Sequence, residues 1–349
     1  MNPLPSAPRR ILILKPSSLG DVIQAIPVLR LLKRHLPASE IHWWIDTGLS
    51  ALFEDDPDLA GLQLFDRRRW TRPTGWPLMI RSLRRMRQLG FDWVIDLQAL
   101  ARSAIVAWLS RGRLIVGLED PREGAPAFYD EAVPRPSRNT HAVDWYLSVL
   151  DRLGIAKETP FDWLPPRPVV AKRIRERWPV AGGRWIALQP GARWVTKRWP
   201  ARHFQQLVGT LAARLPDVRF AILGSRAEAD LGREVATGAP DRCLLLAGDT
   251  TLPEMVEWLR GCELLVTNDT GPMHAAAALG KPVLALFGPT EPRRTGPYGQ
   301  IEHVLRRSLP CVPCFRNSCR RAIDRECLVG LSPREVADVA LVRLAQATG

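Results

Sequence analysis

The chain alternates short apolar runs with longer segments whose apolar residues recur at helical spacing. The first apolar run covers residues 11–14, and residues 21–35 follow with apolar side chains three or four positions apart. A short apolar run between turn residues is typical of a buried strand, and the helical spacing predicts an amphipathic helix. Strands that alternate with helices in this way predict parallel βαβ units.

The alternation runs to about residue 153 and restarts near residue 185. In the first half it predicts strands at residues 41–45, 62–65 and 93–96, and helices at 77–89, 101–109 and 141–153. In the second half it predicts strands at 185–189, 218–223, 243–246, 264–268 and 283–287, and helices at 201–215, 227–237, 252–260, 272–279 and 333–347.

A proline-rich stretch separates the two halves, with Pro160, Pro165, Pro166 and Pro168, and it indicates a linker. We therefore predict an α/β protein of two Rossmann-like, doubly wound domains, residues 1–165 and 166–349, which face an interdomain cleft. Ligands of such sheets bind beyond the carboxyl ends of the strands.

Composition and charge narrow the choice of partner. With 46% hydrophobic and 24% charged residues the chain is typical of a globular protein, and its net charge is +13. The cations are scattered in short clusters such as residues 67–69, which argues against a nucleic-acid-binding role. An acidic membrane leaflet, a phosphorylated substrate or merely an arginine-rich surface remain as explanations.

The N-terminal residues 1–10 are proline-rich, and residues 11–14 are too short for the apolar core of a signal peptide. No apolar run approaches the ~18 residues that a membrane-spanning helix needs. We expect a cytoplasmic protein whose contact with a membrane is peripheral.

The first candidate site is the turn between the first strand and the first helix. It contains Lys15, Ser17, Ser18, Gly20 and Asp21. Backbone N–H groups at a helix N-terminus suit an anion, and a carboxylate facing the cleft suits proton removal from an acceptor hydroxyl. The alternative for Asp21 is a helix N-cap. A single glycine in this turn argues against a dinucleotide-binding fingerprint.

The second candidate site is the equivalent turn of the second half, with Gly191 and the residues Lys197-Arg198-Trp199-Pro200. Lysine supplies only six of the 49 cations, so a lysine within a motif indicates a specific choice, such as a point charge for phosphate. The Gly191 turn and these cations therefore predict a diphosphate cradle. The alternative is a solvated pair of loop charges.

The third candidate site follows the predicted strand at residues 264–268. Thr270 and Gly271 offer hydroxyl and backbone donors to a phosphate, and Asp269 suits sugar or ribose hydroxyls. His274 lies one turn into the next helix, where we favour a ligand contact over a buried core histidine.

Four cysteines are close together near the C-terminus, at Cys311, Cys314, Cys319 and Cys327. Their spacing allows a structural zinc site, but reduced structural thiols and labile disulfides are alternatives. No catalytic metal set and no cofactor are predicted.

These motifs, taken in order with the Phe287-Gly288-Pro289-Thr290 turn, resemble glycosyltransferase family 9, which contains the lipopolysaccharide heptosyltransferases. The cysteine cluster is more similar to heptosyltransferase II and its relatives. Ala192 and Arg193 stand where the heptosyltransferase I pattern has hydroxyl residues.

The resemblance implies a GT-B fold, an ADP-heptose donor, a lipid-linked anionic sugar acceptor and inverting transfer without a metal. It implies that Asp21 is the base, that Lys197 binds donor phosphate, and that Asp269, Thr270, Gly271 and His274 line the donor site. Two alternatives remain open: a family member that uses another nucleotide sugar for a different surface glycan, and a GT-B-like nucleotide-sugar epimerase.

Overall fold

The structure is a computed structural model that describes residues 7–70, 72–120, 123–157, 162–178 and 183–348. It divides into two compact units, Met1–Pro165 and Pro166–Gly349. Pro160 of the predicted linker lies outside the described residues. Pro168 was predicted in the linker but instead opens the helix Pro168–Arg177, because proline is favoured in a first helical turn.

The first unit contains one parallel sheet of six strands, in the order β3-β2-β1-β4-β5-β6. This is the strand order of the Rossmann fold. The strands are β1 Arg10–Leu14, β2 Glu40–Asp46, β3 Gly61–Phe65, β4 Trp93–Asp96, β5 Leu114–Leu118 and β6 Glu131–Val133. The helices are α1 Leu19–His35, α2 Arg67–Trp70, α3 Trp76–Leu89, α4 Ala101–Ser110 and α5 Ala142–Arg152.

The second unit repeats this architecture, with the strand order β12-β11-β10-β7-β8-β9. Its strands are β7 Arg184–Gln189, β8 Val218–Ile222, β9 Cys243–Leu245, β10 Leu264–Asn268, β11 Val283–Phe287 and β12 Val304–Arg306. Its helices are α6 Pro168–Arg177, α7 Ala201–Arg214, α8 Ala229–Ala236, α9 Leu252–Gly261, α10 Gly271–Ala278, α11 Pro292–Thr295, α12 Glu326–Val329 and α13 Pro333–Thr348. The predicted α/β fold class and its two Rossmann-like domains are confirmed.

The core of each unit surrounds its central strands. In β1 the residues from Ile11 to Leu14 are fully buried, as expected for a strand covered by helices on both faces. The strand order reverses between β1 and β4 in the first unit and between β7 and β10 in the second. Ligands of doubly wound sheets bind at such switch points, and the predicted site turns follow β1, β7 and β10.

Candidate active site

Asp21 lies in the first turn of α1, directly after the turn that leaves β1. Its Oδ2 atom accepts hydrogen bonds from the Ser18 backbone N at 3.0 Å and from Ser18 Oγ at 2.6 Å. The alternative that Asp21 is itself the N-cap is wrong, because the backbone is still extended at Ser18 and turns helical directly after it. Asp21 instead stabilises the helix start from the third helical position, as the acidic residue of a capping box does.

Lys15 is buried below this turn, with an exposed fraction of 4%. Its Nζ donates to the Leu97 carbonyl at 2.9 Å and lies 4.7 Å from the centre of the Tyr146 ring. Burial acts to lower the pKa of Lys15, but Tyr146, Asp21 and Asp96 together outweigh burial and raise it above its ordinary value. The ammonium is therefore held charged and points inward, toward groups of the first unit.

The other members of this turn differ in exposure. Gly20 is buried, Ser17 is half-buried and Ser18 is exposed. Ser18 therefore reaches solvent beside the helix N-terminus, while its hydroxyl proton is directed to Asp21.

In the second unit, Lys197 and Asp269 form a close ion pair. Lys197 Nζ lies 2.7 Å from Asp269 Oδ2, and Thr290 Oγ1 donates to the same carboxylate oxygen at 2.6 Å. Asp269 is 5% exposed and the Lys197 side chain 20%, so Lys197 is not the solvated loop charge that the sequence left as an alternative. The ring of Trp194 lies 5.1 Å from the ammonium and further restricts its position. The turns after β10 and β11 and the loop after β7 therefore meet at Lys197.

Asn268, the last residue of β10, ties these loops together. Its Oδ1 accepts from the Trp199 backbone N at 3.0 Å, and its Nδ2 donates to the Pro190 carbonyl at 2.7 Å. The side chain is fully buried, so these two bonds satisfy an amide that would otherwise be costly to bury. Arg198 adds a third tie, because its Nε donates to the Ala192 carbonyl at 2.7 Å. Sequence reasoning missed Asn268, although a polar residue that ends an apolar strand was a usable signal.

Helix α10 begins at the predicted phosphate turn. Thr270 is its N-cap residue with extended backbone, and Gly271 and Thr270 are both partly exposed. First-turn N–H groups of a helix lack intrahelical partners and carry partial positive charge, so this turn suits an anion. His274 lies one turn further along and is 8% exposed.

Gly191 is needed because the Glu228 side chain approaches it closely, and not because of a positive φ angle. A Cβ atom at this position would lie 2.0 Å from Glu228 Oε1. Glu228 is fixed by hydrogen bonds to its Oε2 from the Ser225 backbone N at 2.8 Å and Ser225 Oγ at 2.9 Å. A carboxylate therefore lies against the Gly191 turn. Sequence reasoning missed Glu228, and the Ser-x-x-Glu pattern of a capping box was its only signal.

The four C-terminal cysteines line one pocket, together with Thr196 and Arg321 among others. All four are free thiols. Burial, followed by the proximity of Cys319, Cys311 and Cys314, raises the pKa of Cys327 to about 11. Within the described ranges no group of three or more His, Cys, Asp or Glu side chains is arranged to hold a metal ion.

Among the helices that the structure describes, none is both long and apolar enough to cross a membrane. Two Rossmann-like units, each with a polar turn at its switch point, are the architecture of GT-B glycosyltransferases. The sequence model of Glycosyltransferase family 9 (heptosyltransferase) matches residues 79–323. The chain belongs to this family.

Individual relatives agree with this placement. Lipopolysaccharide heptosyltransferase 1 of Pseudomonas aeruginosa is 32% identical to the chain, over 94% of the chain and 96% of the relative. The structure of the Escherichia coli ADP-heptose lipopolysaccharide heptosyltransferase II superposes with a TM-score of 0.77 at 21% identity, over 97% of this chain and all of that one. An E. coli heptosyltransferase with ADP-2-deoxy-2-fluoro heptose gives a TM-score of 0.76 at 24% identity, over 95% and 99% of the two chains.

Proposed function

We propose that the chain transfers heptose from ADP-heptose to the inner core of lipopolysaccharide, with inversion at the anomeric carbon and without a metal ion. The names of the P. aeruginosa relative and of the E. coli enzyme with the fluoro-heptose donor support this substrate pair. The observation that carries the proposal is the Lys197–Asp269 pair directly before the N-terminus of α10.

The donor diphosphate binds Lys197 in this proposal. An ammonium has three donors, and Asp269 takes one of them, so Lys197 keeps N–H groups for phosphate oxygens. Thr270 and Gly271 add donors at the start of α10. Together they offset the negative charge that develops on the leaving ADP, which is a role that a metal ion fills in other enzymes. Asp269, Gly191 and His274 complete the proposed donor site.

Asp21 is the proposed general base. It takes the proton of an acceptor hydroxyl, whose oxygen attacks the anomeric carbon from the face opposite ADP. The new C–O bond forms as the bond to the β-phosphate oxygen breaks, and ADP leaves with that electron pair. Ser17, Ser18 and Gly20 are proposed to contact the acceptor at the same turn. Lys15 adds positive charge there, and inner-core acceptors carry carboxylates and phosphates.

The acceptor is lipid-linked, so we further propose that the chain works at the cytoplasmic face of the inner membrane through peripheral contact. Nucleic acid is not a proposed partner. The net charge of +13 is of the sign that attracts anionic lipids and acceptors.

Mass spectrometry of the reaction products tests the proposal. The purified chain is incubated with ADP-heptose, with and without truncated lipopolysaccharide, and in parallel with a panel of other nucleotide sugars. A heptose added to the acceptor, with release of ADP, is the expected result. A changed sugar nucleotide formed from donor alone would instead identify an epimerase, and transfer only from another donor would identify a different surface glycan.

A further inference from the structure

Helix α3 exposes large apolar side chains. Trp76, Leu78 and Ile80 have exposed fractions of 55%, 47% and 45%, and Met86 alone among the residues of α3 is fully buried. Such large side chains are usually covered in part by neighbouring elements. Their joint exposure on one helix therefore indicates an interaction surface.

The neighbouring helix α4 also exposes large apolar side chains. It packs against α3 and exposes Ile105 at 42% and Trp108 at 57%. We call these five side chains of α3 and α4 the apolar patch: Trp76, Leu78, Ile80, Ile105 and Trp108.

Arginines border the apolar patch. Helix α3 exposes Arg81, Arg84, Arg85 and Arg87, and α2 adds three consecutive arginines at Arg67–Trp70. In the part of the chain that the structure describes, no acidic side chain forms a salt bridge with these four arginines of α3. Arg84 follows Trp76 and Ile80 at four-residue steps, so apolar and cationic side chains share one side of the helix.

Charge and side-chain chemistry select one kind of partner. A second copy of this basic surface would be repelled, and Leu and Ile side chains contribute little to stacking on nucleic-acid bases. An anionic membrane surface satisfies both halves of the pattern, since arginines pair with lipid phosphates while Trp and aliphatic side chains enter the interface.

We propose that α2, α3 and the apolar patch form the face by which the chain docks on a membrane rich in anionic phospholipid. The inference extends the peripheral membrane contact of the proposed function to a defined surface. The proposed docking face belongs to the unit that carries Asp21.

Vesicle sedimentation of the full chain tests the charged half of this surface. The chain should bind vesicles of phosphatidylglycerol and phosphatidylethanolamine, bind phosphatidylcholine vesicles much less, and lose binding as salt rises. Arg84→Glu/Arg85→Glu should weaken binding to the anionic vesicles by about tenfold or more, because each cation near such a surface contributes measurably. The matched control is Arg173→Glu/Arg175→Glu on α6, which should leave binding unchanged.

The apolar half is tested with Trp76→Ser/Ile80→Ser against Val342→Ser, a change at an exposed apolar residue of α13. The patch variant should bind anionic vesicles roughly tenfold less. Its serine side chains have little apolar surface to transfer from water into the membrane interface. The control should bind as the parent does.

Heptose transfer to a lipid-free core oligosaccharide separates this inference from the proposed function. Both surface variants should keep that transfer, because their changes lie outside the candidate site. If the parent protein did not bind anionic vesicles, or if the surface variants bound them as the parent does, the proposed docking face would be wrong. Neither result would contradict the proposed heptose transfer. A changed oligomeric state of the patch variant by light scattering, or salt-dependent binding to RNA that exceeds binding to vesicles, would assign the face to another partner.

Discussion

At the scale of single residues, Asp21 combines two tasks. Its Oδ2 closes the N-terminus of α1 through Ser18, and its carboxylate is the proposed base. The hydrogen bonds from Ser18 hold the side chain in one orientation, which is what a base must have if it is to meet an acceptor hydroxyl. Helix capping and the proposed proton transfer therefore depend on the same geometry.

Asp21→Asn should lower kcat for heptose transfer by roughly 10²–10⁴-fold, the usual loss when a general base is removed. The amide oxygen can still accept from the Ser18 N–H, so the start of α1 and the thermal midpoint should change little. Steady-state kinetics and differential scanning fluorimetry measure the two effects.

Ser18→Ala is the matched control, since it removes the hydroxyl at 2.6 Å but keeps the carboxylate. It should cost the helix about 0.5–2 kcal/mol, and it should lower kcat far less than Asp21→Asn does, because the carboxylate that takes the proton remains. Near-normal transfer by Asp21→Asn in a folded protein would show that another group is the base.

Lys197→Met should weaken ADP binding by roughly 10–100-fold, because a hydrogen bond to a charged group contributes about 1.5–3 kcal/mol. Isothermal titration calorimetry of the variant and parent with ADP measures the change.

Removal of Lys197 also leaves Asp269 buried without its cation, so a structural effect must be separated from a phosphate effect. Lys197→Met/Asp269→Asn removes both charges and should restore stability but not ADP affinity. Lys172→Met, on the exposed face of α6, should leave ADP affinity unchanged. Parent-like ADP binding by Lys197→Met would reject its phosphate role.

At the scale of elements, the buried apolar strands were the predictable part. The run at residues 11–14 predicted β1 to within one residue, because a buried parallel strand must be apolar on both faces. Strand β5 was missed because Gly117 interrupts its apolar run. That glycine makes room for the Tyr129 ring, which a Cβ would meet at 2.3 Å, and a contact between positions twelve residues apart leaves no periodic signal.

The attachment of α1 depends on a buried ion pair. Arg30 lies on α1, and its guanidinium donates to Asp56 at 2.5 and 2.7 Å and to Asp58 at 2.7 Å. The Arg30 and Asp56 side chains are 7% and 2% exposed. Arg30→Met should therefore lower the free energy of unfolding by about 3–5 kcal/mol, because it leaves a buried carboxylate unpaired. Urea unfolding followed by circular dichroism measures the loss.

The control is a solvent-exposed arginine–aspartate pair with a similar contact distance. Arg214 on α7 contacts Asp338 at 2.6 Å, but both side chains are well exposed. Arg214→Met should change the free energy of unfolding by less than about 1 kcal/mol. Equal effects of the two substitutions would mean that burial does not decide the contribution of Arg30.

At the scale of the whole molecule, the sequence predicted where the candidate site turns lie but not what holds them in place. Turns after strands meet at one sheet edge in any doubly wound domain, so the Gly191, Lys197 and Asp269 turns were predicted to lie together. Asn268 links residues 69 and 78 positions away, and such a tie depends on the folded backbone. Glu228 likewise reaches Gly191 only after β8 pairs with β7.

The absence of a metal from the proposed reaction is a prediction for the whole molecule. If Lys197 and α10 offset the charge of the leaving diphosphate, exhaustive treatment with EDTA should leave the transfer rate within about twofold of the untreated enzyme. Added Mg²⁺ should not raise that rate. A rate that falls with EDTA and returns with a divalent cation would show that a metal takes part in transfer.

EDTA would also remove a metal ion held by the four cysteines, so the chelation experiment needs a separate measurement of bound zinc. Elemental analysis should find well under one zinc per chain, because the described side chains form no metal-binding set. Cys311→Ser/Cys319→Ser, which alters two of the lining thiols, should then leave the thermal midpoint nearly unchanged. Stoichiometric zinc, with a thermal midpoint that falls on chelation while transfer persists below it, would instead make the four cysteines a structural zinc site. That result would make the pocket a metal site and still leave Lys197 as the proposed cation of the donor site.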